Sequence, residues 1–141
     1  MTKNTQQDWT RTVKLYLDNF NAGLRPPPNI LVSEWADQNR VLDQSTSAEP
    51  GPYRTSRTPY LKEIMDGLSP KSEVQEIVFK KPTQIGGSEA GNNWIGSIID
   101  IYPGPTLVVQ PTGDTAARFS KLRIAPLIAK TKSLRNKIKE A

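Results

Sequence analysis

The chain has 141 residues, 35% of them hydrophobic, and a net charge of +5, which is room for one small domain with a modest core. It contains no Cys and no His, which excludes disulfide scaffolds, Cys/His zinc centres, cysteine nucleophiles and Ser-His-Asp triads. No apolar run approaches the roughly 20 residues that span a bilayer, and Met1-Thr2-Lys3-Asn4 lacks the apolar core of a signal peptide, so neither a membrane protein nor a secreted one is expected.

Residues 8–22 read as an amphipathic helix, because Trp9, Val13, Tyr16, Leu17 and Phe20 recur at helical spacing. Gly23 is a stop, and Arg25-Pro26-Pro27-Pro28 forms a stiff extended connector. Ser33 is expected to cap a short helix, Glu34–Val41, that buries Trp35 and Leu42. Residues 43–58, with Glu49-Pro50-Gly51-Pro52 at the centre, read as loop. Thr58-Pro59 opens a helix with Tyr60, Ile64 and Leu68 on one face, ended by Gly67 and Ser69-Pro70.

From there the pattern changes. Val74, Ile77, Val78 and Phe79 form a β-prone segment ending in Lys80-Lys81. The turn Pro82-Thr83-Gln84-Ile85-Gly86-Gly87 follows, then a helix from Ser88 to about Ile101 with Trp94, Ile95, Ile98 and Ile99 apolar. Pro103-Gly104-Pro105 breaks that helix, and Thr106–Gln110 reads as a strand of the kind buried in a parallel sheet. Pro111-Thr112-Gly113-Asp114 turns the chain, with Asp114 or Thr115 as the cap of a helix over 115–123. The predicted fold class is therefore α/β: a β-α-β-α unit with parallel strands at 74–80 and 106–110, preceded by a helical region. Ligands of such sheets bind beyond the carboxyl ends of the strands, which places Lys81–Ser88 and Pro111–Asp114 on one rim.

Charge is concentrated late. Between Arg118 and Ala141 there are eight basic residues against Glu140 alone. Such a stretch attracts phosphate, in a nucleic acid or a nucleotide, or it is a solvated helix face.

The turn at 81–88 stands where a phosphate loop stands, after a strand and before a helix. Backbone N–H groups at a helix start, approached closely past Gly86 and Gly87, can cradle phosphate oxygens, and Ser88 falls where a Mg²⁺-binding hydroxyl would. The standard pattern G-x-x-x-x-G-K-[ST] departs twice: Lys81 takes the place of its first Gly, and Gly87 that of its lysine. A lysine ammonium can reach a bound phosphate from the first loop position as well as from the seventh, so Lys81 can supply the charge that Gly87 lacks. The plainer reading is an ordinary Gly-containing strand-to-helix turn.

From about Arg25 to Leu134 the sequence resembles the N-terminal part of the phage DNA-packaging terminase large subunit, of the lambda-like GpA type. The resemblance is carried by Arg25-Pro26-Pro27-Pro28, Val32-Ser33-Glu34-Trp35-Ala36-Asp37, Pro50-Gly51 with Arg54-Thr55, and Arg57-Thr58-Pro59-Tyr60 with Ile64-Met65-Asp66. The loop Lys81–Ser88, Pro103-Gly104-Pro105, Val108-Val109-Gln110-Pro111-Thr112 and Phe119-Ser120-Lys121 continue it. Members of that family are ATP-driven motors that also cut DNA. The resemblance implies a P-loop NTPase fold that binds ATP and Mg²⁺, with Lys81 as the basic residue opening a deviant loop and Gly86 as its glycine. It implies that the backbone of Gln84, Ile85, Gly86 and Gly87 binds phosphate and that Ser88 is the Mg²⁺ ligand. By the same resemblance Tyr60 stacks on the base, the alternative being core packing on its own helix face, whereas Trp35 reads as a core anchor. Gln110–Thr112 resembles the segment that couples nucleotide state to DNA grip, or is a plain turn.

The resemblance also divides the chain. Residues 1–24 are expected to dock the small terminase subunit, 25–72 to connect, and 73–141 to begin the ATPase core. The acidic Mg²⁺ residue and the water-orienting Glu of such a motor are expected after residue 141, so no catalytic residue is assigned and the chain reads as truncated. The implied partners are the small subunit, double-stranded phage DNA and the portal or procapsid, in the host cytoplasm. The competing readings are a non-enzymatic module docking the small subunit or DNA, the latter through residues 118–139, and an inert prophage remnant.

Overall fold

The computed structural model describes residues 3–44, 47 and 49–138, with side chains from residue 9 onward. Helix α1, Lys3–Leu24, covers the predicted amphipathic stretch and keeps its apolar residues in solvent: Trp9, Val13, Tyr16, Leu17 and Phe20 are all exposed. The extended Pro26–Pro28 connector leads to α2, Val32–Asn39. This helix starts earlier than its sequence suggests. Glu34 Oε2 accepts the Leu31 N–H at 3.1 Å, while the expected cap, Ser33, is buried and turns its hydroxyl to Asp66 Oδ1 at 2.5 Å. The chain leaves the helix at Arg40, and Val41–Leu42 (β1) pairs antiparallel with Gly51–Pro52 (β2).

Two 3₁₀ turns, Thr55–Arg57 and Pro59–Leu61, precede α3, Lys62–Gly67. The tight second turn rotates the sequence-predicted face. Leu61 and Met65 are fully buried, whereas Tyr60 is 54% exposed. The core-packing alternative for Tyr60 therefore does not hold.

Helix α4, Gly87–Asp100, agrees with expectation within one residue. Its buried face is small and polar (Ala90, Asn93, Gly96, Ser97, Asp100), while Trp94, Ile95, Ile98 and Ile99 are only half-buried. The small face lets α2 come close. A Cβ on Gly96 would lie 2.8 Å from Trp35 Cζ3 and nearer still to Cη2. Trp35 is fully buried, as a core anchor should be, and its Nε1–H donates to Asp100 Oδ2 at 2.7 Å.

After Pro111 the cap of α5, Gly113–Phe119, is Thr112, whose hydroxyl accepts the Thr115 N–H at 3.2 Å; neither Asp114 nor Thr115 serves as the cap. A π turn, Ser120–Ile124, joins α5 to α6, Ala125–Lys130. Pro126 lacks the N–H that would close the α ladder in this run, which accounts for the irregular turn before it. Helix α7, Lys132–Arg135, completes the fold. Leu127 and Leu134 join Val32, Trp35, Ala36, Tyr53, Leu61, Met65 and Ala90 in one small core.

The predicted parallel sheet is not formed among the described residues. Among the described residues the only sheet is β1–β2. Segments 74–80 and 106–110 have no regular secondary structure, with Val78 84% and Leu107 86% exposed. A parallel strand is held by neighbours on its edges, and two such strands alone make a weak sheet.

Asp100 closes the far end of α4. Burial pushes its carboxyl up, but the Lys137 ammonium and the Trp35 indole N–H outweigh that and hold it below the ordinary value of 3.8. A depressed carboxylate stabilises the fold above its unfolded value, and that contribution is lost as pH falls through the folded value. Urea melts across the acid range are expected to show an acid-side loss below about pH 4 that Asp100→Asn flattens.

Candidate functional site

The N-terminus of α4 is built by two left-handed residues. Gln84 has φ 63° and is the only non-glycine with positive φ among the described residues; Gly86, the N-cap, has φ 77°. The two curl residues 82–87 into a tight loop. Gly86 meets the 3₁₀ turn beneath it, since a Cβ there would lie 3.2 Å from Leu61 Cδ1. The Gly86 carbonyl accepts from the N–H groups of Glu89 and Ala90. As the first two helical residues, Gly87 and Ser88 have no partner for their N–H groups within the helix, and Gly86 brings no side chain to cap them.

Gly87 explains the departure from the standard phosphate-loop pattern. A Cβ at this position would lie 2.8 Å from Lys81 Cε, nearer to Lys81 Cδ, and 2.9 Å from Phe79 Cε1. The stem of Lys81 thus crosses the first turn of α4 in the space that a side chain at 87 would fill. One lysine excludes the other. Ser88 is exposed on the same turn.

Tyr60 reaches the loop from below. Its hydroxyl donates to the Ile85 carbonyl at 3.1 Å. Between the loop and the 42–61 segment lies a cavity of about 350 Å³, lined by Tyr60, Gln84, Ile85 and Gly86 together with Arg54 and Arg57. The structure therefore brings four of the predicted residues to one cavity and sets Lys81, Gly87 and Ser88 on the adjoining helix start. A larger open groove of about 700 Å³ beside α3 touches none of them. Gln110 lines a separate cavity with Thr115, Arg118 and Phe119, and Asp114 stands exposed in the first turn of α5.

Three residues that sequence reasoning did not place at the loop stand beside it. Glu89 Oε2 lies 3.1 Å from Arg40 Nη2, and Glu89 Oε1 lies 3.6 Å from Arg123 Nη1. Burial pulls the Arg40 guanidinium below its ordinary pKa, and Glu89 pushes it back up. The two arginines neutralise a carboxylate that would otherwise repel an anion at this helix end. Arg40, Glu89 and Arg123 are far apart in sequence, so no local spacing marks them as a set.

The donor set fits a polyphosphate: open N–H groups on a left-handed loop, a helix dipole, and a lysine laid across a glycine. It offers Mg²⁺ one hydroxyl, Ser88; among the described residues no cluster of three or more Asp or Glu could hold a metal. That suits an ion bound chiefly by phosphate oxygens and water. Over residues 47–141 the chain matches the family described as phage terminase large subunit gpA, ATPase domain. The chain belongs to that family.

The match leaves α1 and α2 outside it, along with the Arg25–Pro28 and Val32–Asp37 segments. Neither a curated protein nor a solved structure matches the chain. Among the described residues no helix is long and apolar enough to cross a membrane. Membership of the gpA ATPase family makes this an ATPase domain of the phage packaging machinery and implies the use of a nucleotide. Within that family the Lys81–Gly87 contact yields a direct expectation. Gly87→Ala should leave the far-UV circular dichroism unchanged, because Lys81 can swing aside, and should weaken triphosphate binding about tenfold by carrying the ammonium off the loop.

Proposed function

We propose that the chain binds Mg²⁺-ATP at the first turn of α4, as the phosphate-binding segment of a DNA-packaging motor. The observation that carries this reading is the passage of Lys81 across Gly87, over a helix start whose N–H groups are open. In this reading Lys81 neutralises phosphate charge, and the backbone of Gln84, Ile85, Gly86 and Gly87 donates to phosphate oxygens. Ser88 offers its hydroxyl to the ion. Tyr60 and the cavity beside it receive the base, with Arg54 and Arg57 on its wall. The nucleotide supplies the free energy of phosphoryl transfer. The chain's own residues bind and orient it, and the water-orienting and Mg²⁺ carboxylates come from outside the described residues.

Segments 74–80 and 106–110 are, in the same reading, two strands of a parallel P-loop sheet that takes further strands at its edges. Their exposed Val78, Leu107 and Val109 support it, as does the half-buried Ile95–Ile98 face of α4. Hydrolysis coupled to DNA translocation, toward a portal or procapsid, belongs to the assembled motor. DNA is the partner suited to the basic residues between Arg118 and Lys137.

A specific observation favours a second role for the N-terminal part. Helix α1 exposes Trp9, Tyr16 and Phe20 on one face and leaves them uncovered by the described residues. We assign that face to the small terminase subunit. One titration tests both roles. A fluorescent ATP analogue with Mg²⁺ is expected to bind saturably to the wild type, followed by anisotropy, and at least tenfold more weakly to Lys81→Ala. Removing residues 1–24 is expected to leave that affinity unchanged and to abolish capture of the small subunit. Equal binding by wild type and Lys81→Ala contradicts the nucleotide site.

A further inference from the structure

The Ile85–Gly86 peptide unit lies at the centre of the loop, where Gln84 and Gly86 are both left-handed. Among the described residues the Gly86 N–H has no acceptor. The carbonyl and the N–H of one trans peptide unit share a plane and point opposite ways, and no peptide bond among the described residues is cis. The direction of the Ile85 carbonyl therefore sets that of the Gly86 N–H. A glycine on the C-terminal side leaves such a unit easy to turn over, because Gly takes φ of either sign at little steric cost. An outside contact is needed to fix it, and Tyr60 supplies one. Its hydroxyl donates to the Ile85 carbonyl at 3.1 Å. Tyr60 is mounted on the 3₁₀ turn Pro59–Leu61, where the proline ring fixes the first φ and Leu61 is fully buried against Gly86. Two successive residues of that turn thus touch two successive residues of the loop.

We propose that Tyr60 is a positioning residue for the loop: its hydroxyl holds the Ile85 carbonyl toward the 3₁₀ turn and so presents the Gly86 N–H to a polyphosphate at the start of α4. The proposal rests on the nucleotide reading above, and it gives the hydroxyl a task separate from the ring's task of receiving the base. Successive N–H groups make an anion-binding concavity only while their carbonyls face away. A flipped Ile85–Gly86 unit would turn an oxygen toward the phosphate and lose a donor at the same time, so one hydrogen bond decides the sign of the dipole that this unit offers. The two tasks of Tyr60 are sensed by different ligands. The ring acts only on a ligand that carries a base, whereas the hydroxyl acts on any polyphosphate. The side chain is half-exposed, so loss of its hydroxyl leaves the core intact.

The test titrates two probes into the full chain by calorimetry, ATP and inorganic tripolyphosphate, each with Mg²⁺. Tyr60→Phe keeps the ring and removes the hydroxyl. It is expected to weaken both probes by the same factor, about fivefold, with unchanged far-UV circular dichroism. Tyr60→Leu is expected to match Tyr60→Phe for tripolyphosphate and to lose more for ATP, because only ATP senses the ring. In amide spectra of the wild type, saturation with tripolyphosphate is expected to move the Gly86 resonance; if Tyr60→Phe does not fold, that resonance decides alone, and a stationary one overturns the proposal. Unchanged tripolyphosphate affinity in folded Tyr60→Phe overturns the proposal and leaves the nucleotide site standing. A loss for ATP alone shows that the hydroxyl contacts the nucleoside, and overturns it as well. No saturable binding of either probe by the wild type overturns both the proposal and the nucleotide site.

Discussion

Everything near the loop depends on how closely α2 approaches α4. Trp35 reaches α4 where only a glycine, Gly96, leaves room, and its indole N–H closes on Asp100. A buried tryptophan is the largest single apolar contribution a small core can have, and here its polar edge is satisfied as well. The same carboxylate takes Lys137 Nζ at 2.7 Å, which draws the segment after α7 onto the end of α4. An acidic residue at a helix C-terminus opposes the helix dipole, so the lysine compensates a local conflict while locking three elements together. With its far end fixed, α4 presents its near end, the loop, in one place.

The two ends of α4 thus have opposite tasks. The C-terminal end is closed, paired and buried. The N-terminal end is left open, and the residues around it make it welcoming to an anion. Lys81 crosses Gly87, Arg40 and Arg123 neutralise Glu89, and Gln84 and Gly86 hold the left-handed turns. The strain at Gln84 costs on the order of 1 kcal/mol or more, the kind of local cost that concentrates at functional sites.

Much of this was legible in the sequence where the cause is local. The span of α4, the breaks at Gly86-Gly87 and Pro103, and the long amphipathic α1 follow from periodicity and from Gly and Pro. The burial of Trp35 was also foreseeable. What failed to show was decided by contacts between distant residues. Ser33 prefers the carboxylate of Asp66 to a capping role, and a 3₁₀ turn moves Tyr60 off the buried face and onto the Ile85 carbonyl. Segments 74–80 and 106–110 carry strand-forming residues, yet a strand exists only where a neighbour pairs with it. The Arg40–Glu89–Arg123 set had no local signature, because each member looks like an ordinary surface charge until the fold assembles them. The lysine missing from position 87 was visible as a gap in a motif; that Lys81 occupies that space required coordinates.

The proposed phosphate site is the first turn of α4. Amide ¹⁵N–¹H spectra of the chain, recorded with and without Mg²⁺-ATP, test it most directly. The account predicts saturable shifts at Gln84, Ile85, Gly86, Gly87 and Ser88, with smaller ones near Tyr60. Shifts confined to the basic residues between Arg118 and Lys137, and growing without saturation, would contradict it and reduce the interaction to diffuse charge attraction.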